Sequence, residues 1–592
     1  MTSVRLLDAK RSRLGVWGPL VLLAVVPLVD PNSYRISVWT FIVINLIVVL
    51  GLDLLLGFCG QLSLGHGVFV SVGAYVSAFL TTKSGWSGWA ALPVGMAVAG
   101  ATALLIAVPA MRLRGYYLAM ATLGFPVVFD AFIRNWSDFT GGSSGIFSVP
   151  RLSLGRYTLK DQVPYFFLVL AILGGVTFLV SQIANSRFGL SLRAIHRDET
   201  AAQARGIDVY GTKIAVFVLS AVLAALSGSL YVHYVGFVSP QTFGIYYSIM
   251  LVVMLVVGGA GRIWGGMVGT IILMWLPELL RATSTWEPII FGAVLALIMV
   301  FSPAGIAGLW KRRPSTTADP GLENAGAPSS SCEPGSAGAG LRTRSTASTL
   351  LTIEDLGKDF GGVRAVDGLR YSLRTGEIKA IIGPNGAGKS TALALIAGGI
   401  VSDRGRIWLD GHSIERLPAH ARARLGIGKT FQHVRLVHDL TILENVMLGV
   451  HAIRRANRSN LRGDGAARTL IDRVGLGPVA DRYPVEVNQY QCRLAELAAA
   501  IAGDPRLLLL DEPAAGLSKA EVDQLAGLLR AERENGRSII LVDHVMQLVL
   551  DLADEILVLD YGVPIAEGTP EGILNDPRVR SAYLGVKRAA NA

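Results

Sequence analysis

Cysteine is almost missing from the chain. Cys59, Cys332 and Cys492 lie far apart and fit no metal or disulfide spacing, which excludes a disulfide scaffold and a thiolate zinc site and fits a reduced, cytosol-facing protein. Charge is scarce too. Only 17% of residues are charged against 51% apolar, and the mean hydropathy is +0.48, whereas a soluble protein of this size carries more charge. The first half is short of acid in particular: Met1–Lys311 holds 20 Lys and Arg but 11 Asp and Glu, while the remainder is close to neutral. The excess lies between apolar runs, where basic residues mark cytoplasmic loops, so the net charge of +10 does not imply nucleic acid as a partner. No small-residue cleavage site follows the first basic and apolar stretch, which therefore reads as a retained span rather than a signal peptide.

What is abundant is oil, and it is uneven. At 592 residues two or more domains are expected. A span needs about 20 mainly apolar residues, and ten candidates occur near 14–29, 37–57, 64–81, 89–110, 116–133, 164–185, 213–234, 246–260, 264–281 and 287–304. The 246–281 region reads either as two spans or as one broken and one full span, so the expectation is about 8–10. Arg5, Lys10, Arg11 and Arg13 place the start inside, and an even count leaves the C-terminal half in the cytoplasm. Glycine and other small residues crowd GHGVFVSVGAYVSAF and VVGGAGRIWGGMVGT. Close helix packing in lipid explains them more readily than a translocation path of irregular backbone.

Residues 311–348 are rich in Pro, Gly, Ser and Ala and hold almost no large apolar side chain. Such a segment cannot bury enough surface to fold and reads as a flexible tether between two proteins joined into one. The expected domains are a membrane domain over 1–310, this linker, and a soluble domain over 349–592.

The soluble half carries IIGPNGAGKST. Gly383-Pro384-Asn385-Gly386-Ala387-Gly388-Lys389-Ser390 has the Walker A form, preceded by the β-branched strand IKAII and followed, through Thr391, by a helical TALALIAGG. Its backbone amides can close on phosphates at a helix N-terminus, with Lys389 reaching the β- and γ-phosphates and Ser390 ligating Mg²⁺. Further on, LLLLDEP is a buried strand ending in two carboxylates: Asp511 to hold Mg²⁺ and Glu512 to polarise the attacking water. Gln432 in GKTFQHVRL and His544 in IILVDHVMQ complete the set in order.

Residues 350–592 thereby resemble the ATP-binding-cassette ATPases, a P-loop NTPase fold of α/β class. The resemblance implies that Phe360 stacks on adenine, that Gln432 senses Mg²⁺ and the membrane partner, and that His544 contacts the γ-phosphate. LDYGVPIAEGTPEGILNDPRVRSAYLG is similar to the ATPases of branched-chain amino acid importers. GLDLLLGFCGQLSLGHGVFVSVGAY, RLRGYYLAMATLGF and SRFGLSLRAIHRDETAAQARGID resemble the permeases of the same leucine/isoleucine/valine importers, with an α-helical polytopic fold. In that family the 186–213 loop, with Arg193, His196, Asp198 and Glu199, would couple the spans to the ATPase.

One motif departs from the family. Val487-Asn488-Gln489-Tyr490-Gln491 occupies the register of the LSGGQ signature that completes the ATP site of a partner cassette. Asn488 can act as a helix N-cap, but Gln489 and Tyr490 replace glycines that let backbone amides approach the γ-phosphate. A homodimer would then have two impaired sites, and a heterodimer of cassettes is expected. The whole implies a fused permease and ATPase of an importer in the bacterial cytoplasmic membrane, using ATP and Mg²⁺, with a second permease, a second cassette, an external solute-binding protein and membrane lipid as partners. Urea, short amides or aromatic acids are alternative cargoes, and a catalytically impaired nucleotide sensor is the alternative role. An exporter fits least, because the long cytoplasmic helix extensions of exporters are missing.

Overall fold

The computed structural model describes residues 17–29, 32–113, 115–154, 157–158, 161–280, 287–302, 305–308, 348–454 and 463–584. The basic residues Arg5 to Arg13 lie outside them, as does the tether of 311–348 except for Ser348. The chain divides into two compact units, Met1–Arg197 with Val209–Arg312, and Asp198–Asp208 with Arg313–Ala592.

The first unit is helical. Its long elements are α1 (Trp17–Val29), α2 (Ser33–Asp53), α3 (His66–Thr82), α4 (Gly88–Ala110) and α5 (Tyr116–Asn135). A single turn, α6 (Ser137–Thr140), and a two-stranded ribbon of β1 (Ser153–Leu154) and β2 (Tyr157–Thr158) follow. Then come α7 (Gln162–Ala184), α8 (Arg187–Arg197), α10 (Val209–Val235), α11 (Ile245–Gly258), α12 (Ile263–Leu280) and α13 (Glu287–Phe301). Among the described residues seven helices are long and apolar enough to cross a membrane, and shorter apolar helices cover Trp17–Val29 and His66–Thr82. Among the described residues each of the ten apolar stretches is mainly helical, as backbone in hydrocarbon must be to satisfy its own hydrogen bonds. The 246–281 region resolves into two helices, parted by Gly259–Arg262.

Glycine positions show why these runs are rich in small residues. A Cβ on Gly73 would stand 2.1 Å from the Ala225 carbonyl oxygen, and one on Gly228 would stand 1.9 Å from that of Val70. Backbones of α3 and α10 therefore touch directly. The same holds for α11 and α12, where a Cβ on Gly258 would meet the Gly265 oxygen at 2.0 Å. Packing by close approach is what these residues do. At its C-terminal end α2 widens into a π-turn, Leu54–Phe58, and buried Asp53 Oδ1 accepts the Gly261 N–H at 2.7 Å.

The second unit is α/β. A six-stranded sheet runs in the order β12-β11-β5-β10-β9-β8, with β8 (Ile427–Lys429), β9 (Leu507–Asp511), β10 (Ser538–Val542), β5 (Ile378–Ile382) and β11 (Glu555–Asp560) parallel. The edge strand β12 (Val563–Gly568) is antiparallel. The inner strands are buried on both faces, so LLLLD and IKAII read as continuous apolar runs rather than alternating ones. An antiparallel sheet, β4-β3-β6-β7, packs over α14 (Lys389–Ala397) and comprises β3 (Thr349–Phe360), β4 (Val363–Arg374), β6 (Arg404–Leu409) and β7 (His412–Ser413). A helical layer contains α15 (Ala419–Arg424), α16 (Ile442–Arg454), α17 (Gly463–Arg473), α18 (Gln489–Ile501), α19 (Lys519–Glu534), α20 (Met546–Leu552), α21 (Pro570–Asn575) and α22 (Pro577–Leu584). The short helix α9 (Glu199–Ala204), although it lies within the N-terminal half of the sequence, belongs to this unit and packs beside α15.

Candidate active site

The phosphate loop connects β5 to α14. Gly388 caps α14 at φ 93°, and Gly386 adopts φ 84°, a region open to glycine. Crowding adds to this: a Cβ on Gly388 would stand 2.1 Å from the Ala365 oxygen, and one on Gly383 the same distance from the Leu559 oxygen. Ala387 is buried, while Asn385 and Gly386 are exposed at the tip, with Pro384 and Thr391 intermediate. Lys389 Nζ donates to the carbonyls of Gly383 at 2.7 Å and Pro384 at 2.9 Å. Burial lowers the Lys389 pKa from its ordinary value, opposed by the nearby Glu512 and Asp511 carboxylates. An incoming phosphate would replace those carbonyls with a stronger, charged acceptor.

Three chain segments meet opposite the loop because β8, β9 and β10 are neighbours. Ser390 Oγ donates to Asp511 Oδ1 at 3.3 Å. A hydroxyl beside a carboxylate is an oxygen donor set that suits a hard cation such as Mg²⁺. Burial raises the Asp511 pKa, while Lys429 and the Ser390 hydrogen bond pull it back. Glu512 follows at φ 47°, a left-handed backbone costly for a residue with a side chain, held there by its N–H bond to the Val542 carbonyl at 2.7 Å. Gln432 Nε2 donates to Glu512 Oε2 at 3.1 Å. His544 Nδ1 stands 3.8 Å from the same oxygen, and its side chain is 66% exposed, so it is close without a hydrogen bond. Phe360 ends β3, is exposed, and carries Lys358 Nζ 5.5 Å over its ring.

Two residues without a sequence reading support this arrangement. Thr430 Oγ1 accepts the Asp511 N–H at 3.4 Å. Asp543 accepts from Ala514 N at 3.0 Å and Val545 N at 2.9 Å, fixing the segments after both strands. The signal for Asp543 is its place at the exit of a buried strand, one residue before His544.

The signature register opens α18. Asn488 is its N-cap and accepts the Gln491 N–H at 2.8 Å, while Gln491 Oε1 accepts the Asn488 N–H at 3.1 Å. The two residues form a reciprocal capping box, which occupies donors at this helix start. Tyr490 is half-buried against the helical core with its hydroxyl on Gln524 Oε1 of α19 at 3.0 Å. Gln489 lies beside Gly516.

The loop residues expected to couple the halves separate. In the first unit Arg193 donates to the Ala184 carbonyl at 3.1 Å and covers the Phe58 ring, and His196 Nδ1 lies 3.1 Å from the Gly57 oxygen. In the second unit Asp198 caps α9 and takes Arg435 Nη1 at 2.6 Å. Arg205 Nη2 donates to the Arg435 carbonyl at 2.8 Å, and Arg424 Nε to that of Gly206 at 3.0 Å. Glu199 lies in the first turn of α9.

Comparison with known proteins covers nearly all of the described chain. The family model for the branched-chain amino acid transport system permease component matches residues 34–303. The ABC transporter model matches residues 366–515, and the branched-chain amino acid ATP-binding cassette transporter model matches 563–589. The high-affinity branched-chain amino acid transport ATP-binding protein BraF of Pseudomonas aeruginosa is 36% identical over 252 residues, spanning 40% of this chain and 98% of that protein. The high-affinity branched-chain amino acid transport system permease protein LivM of Escherichia coli is 29% identical over 310 residues, 48% of this chain and 73% of that protein. The lipopolysaccharide export system ATP-binding protein LptB of Haemophilus influenzae is 33% identical over 237 residues, 40% of this chain and 98% of it.

Proposed function

Because the chain belongs to the branched-chain amino acid ABC transporter family, as a permease domain and an ABC ATPase domain fused in one polypeptide, we propose that it powers import of leucine, isoleucine, valine or a related small amino acid. The observation that carries the cargo is the permease match over 34–303. The cassette alone carries less, since an export ATPase is similar to it as well.

In the proposed cycle ATP lies along the phosphate loop, with its adenine on Phe360 and its phosphates against the loop amides and Lys389. Ser390, Asp511 and Gln432 would hold Mg²⁺, which when bound would supply charge neutralisation at the phosphates. Glu512 orients the attacking water and accepts its proton, and Gln432 holds the Glu512 carboxylate in place. His544, beside Glu512, would turn onto the γ-phosphate. Asp198–Asp208 would pass closure of the cassettes to the spans, with the soluble unit in the cytoplasm.

The partners follow from the signature. The capping box of Asn488 and Gln491, with glutamine and tyrosine where glycines would expose amides, supports a heterodimer in which the second cassette supplies the sound signature. A second permease and an external solute-binding protein complete the importer.

Uptake of labelled leucine in a deletion strain complemented with the wild-type chain or Glu512→Gln tests the reading. Restoration by wild type alone is the expected result. Equal uptake by both removes this cassette as the motor. No uptake by either moves the test to labelled urea, short amides and aromatic acids. ATP binding without turnover in the complete complex would favour the nucleotide sensor.

A further inference from the structure

α18 begins at the signature register, yet its inner face is devoted to the segment that carries Gln432. Arg493 donates Nη1 to the Phe431 carbonyl at 2.9 Å and Nη2 to the Gln432 carbonyl at 2.6 Å. One turn later Glu496, 3% exposed, accepts the Arg435 N–H at 3.0 Å. From the opposite side Arg205, 8% exposed, donates to the Arg435 carbonyl. Phe431–Arg435 is thus held through its backbone by two residues of α18 and one of Asp198–Asp208. Arg435 is also gripped through its side chain, by Asp198 and by the Phe431 ring 4.8 Å away.

Glu496 is the buried carboxyl group shared by the cluster. Its carboxyl group accepts the Arg435 N–H and lies 3.9 Å from Arg493, with Arg205 facing both it and Asp198, so removing the side chain would leave a buried backbone donor unpaired and take one acid from two arginines. Beside it lies a cavity of about 10 Å³ lined by Arg205, Lys429, Phe431 and Glu496, room for about one water.

We propose that Glu496, together with Arg493, is a positioning residue for hydrolysis: it fixes Gln432 opposite Glu512 and makes that placement depend on the Asp198–Asp208 segment. It acts through the backbone of Phe431–Arg435, by accepting the Arg435 N–H. The inference rests on the reading that this cassette hydrolyses ATP.

The test uses the complex captured through a tag on the full chain from membranes of its own host and reconstituted in nanodiscs. Wild type, Glu512→Gln, Glu496→Gln and Arg205→Gln are compared for photolabelling by azido-ATP, for KM and kcat of ATP hydrolysis, and for stimulation by the solute-loaded binding protein that copurifies. Glu496→Gln keeps the size and one acceptor but removes the charge. The expected result is a KM for ATP within twofold of wild type, kcat lowered about tenfold and stimulation lost, with Arg205→Gln losing stimulation as well. Wild-type kcat and stimulation in Glu496→Gln would overturn the proposal. Loss of azido-ATP labelling in Glu496→Gln would overturn it too, by making the residue one of general folding. A wild-type complex without Glu512-dependent hydrolysis would instead sink the underlying assignment of this cassette as a motor.

Discussion

Gln432 and Glu512, 80 positions apart in the chain, meet at 3.1 Å between Nε2 and Oε2. The contact joins the loop leaving β8 to the residue leaving β9, two strands in register across Ile427–Leu507 to Lys429–Leu509. A carboxylate oxygen with a fixed amide donor cannot swing freely, and its left-handed backbone restrains it further. Glu512→Gln should lower ATP turnover by about 10²- to 10⁴-fold with nucleotide binding retained, the range for loss of a general base. Gln432→Ala should cost less, roughly 10- to 100-fold, the kinetic equivalent of one charge-assisted hydrogen bond. Single-turnover hydrolysis by the captured complex checks both.

The phosphate loop separates crowding from strain. At Gly386, φ is 84° and nothing lies near an added Cβ, so Gly386→Ala should destabilise the cassette by about 1–2 kcal/mol, the left-handed backbone cost alone. At Gly388 the same backbone is joined by a carbonyl 2.1 Å from the Cβ, and Gly388→Ala should abolish azido-ATP labelling outright. Labelling together with the thermal midpoint of the full chain distinguishes the two.

The capping box at the start of α18 predicts opposite effects on stability and turnover. Asn488→Ala removes the cap and should cost about 1 kcal/mol. Replacing Gln489 and Tyr490 together by glycine frees the amides there, and should raise ATP turnover of the heteromeric complex by up to roughly twofold as a second site becomes competent. Unchanged turnover would mean that backbone access is not what limits that site.

Burial raises the Glu496 pKa from 4.5 to about 7, opposed by the Arg435 N–H and by Arg205 and Arg493. The groups facing it are Arg493 on its own helix, Arg205, the Arg435 backbone and Lys429 across the small cavity. A folded pKa above the unfolded one means the native state binds more protons, so this contribution is full below about pH 4.5 and is lost as pH rises through about 7. Thermal midpoints of wild type measured between those limits should fall relative to Glu496→Gln, and parallel curves for the two would contradict the shift.

Much of this protein is legible from one dimension because its signals are local. Apolar runs of span length form helices wherever lipid denies the backbone another partner. The phosphate loop is contiguous, with strand, glycines, lysine and helix start adjacent in sequence, so IIGPNGAGKST identifies itself. Asp511, Glu512 and His544 are readable for a related reason, since they stand at the ends of the apolar strands β9 and β10.

Only the tertiary structure decided what depends on pairing across distance. Arg493 and Glu496 look like ordinary solvated charges on an amphipathic helix, and Arg205 like one more basic residue in a loop. Their meaning comes from Phe431–Arg435, a segment whose backbone donors and acceptors need partners from outside it. The grouping of Asp198–Asp208 with the soluble unit is likewise invisible in composition. Tyr490 shows the same limit at a single side chain: the sequence by itself established a bulky ring where glycine was expected, but packing against α19 and a bond to Gln524 decided where that ring points.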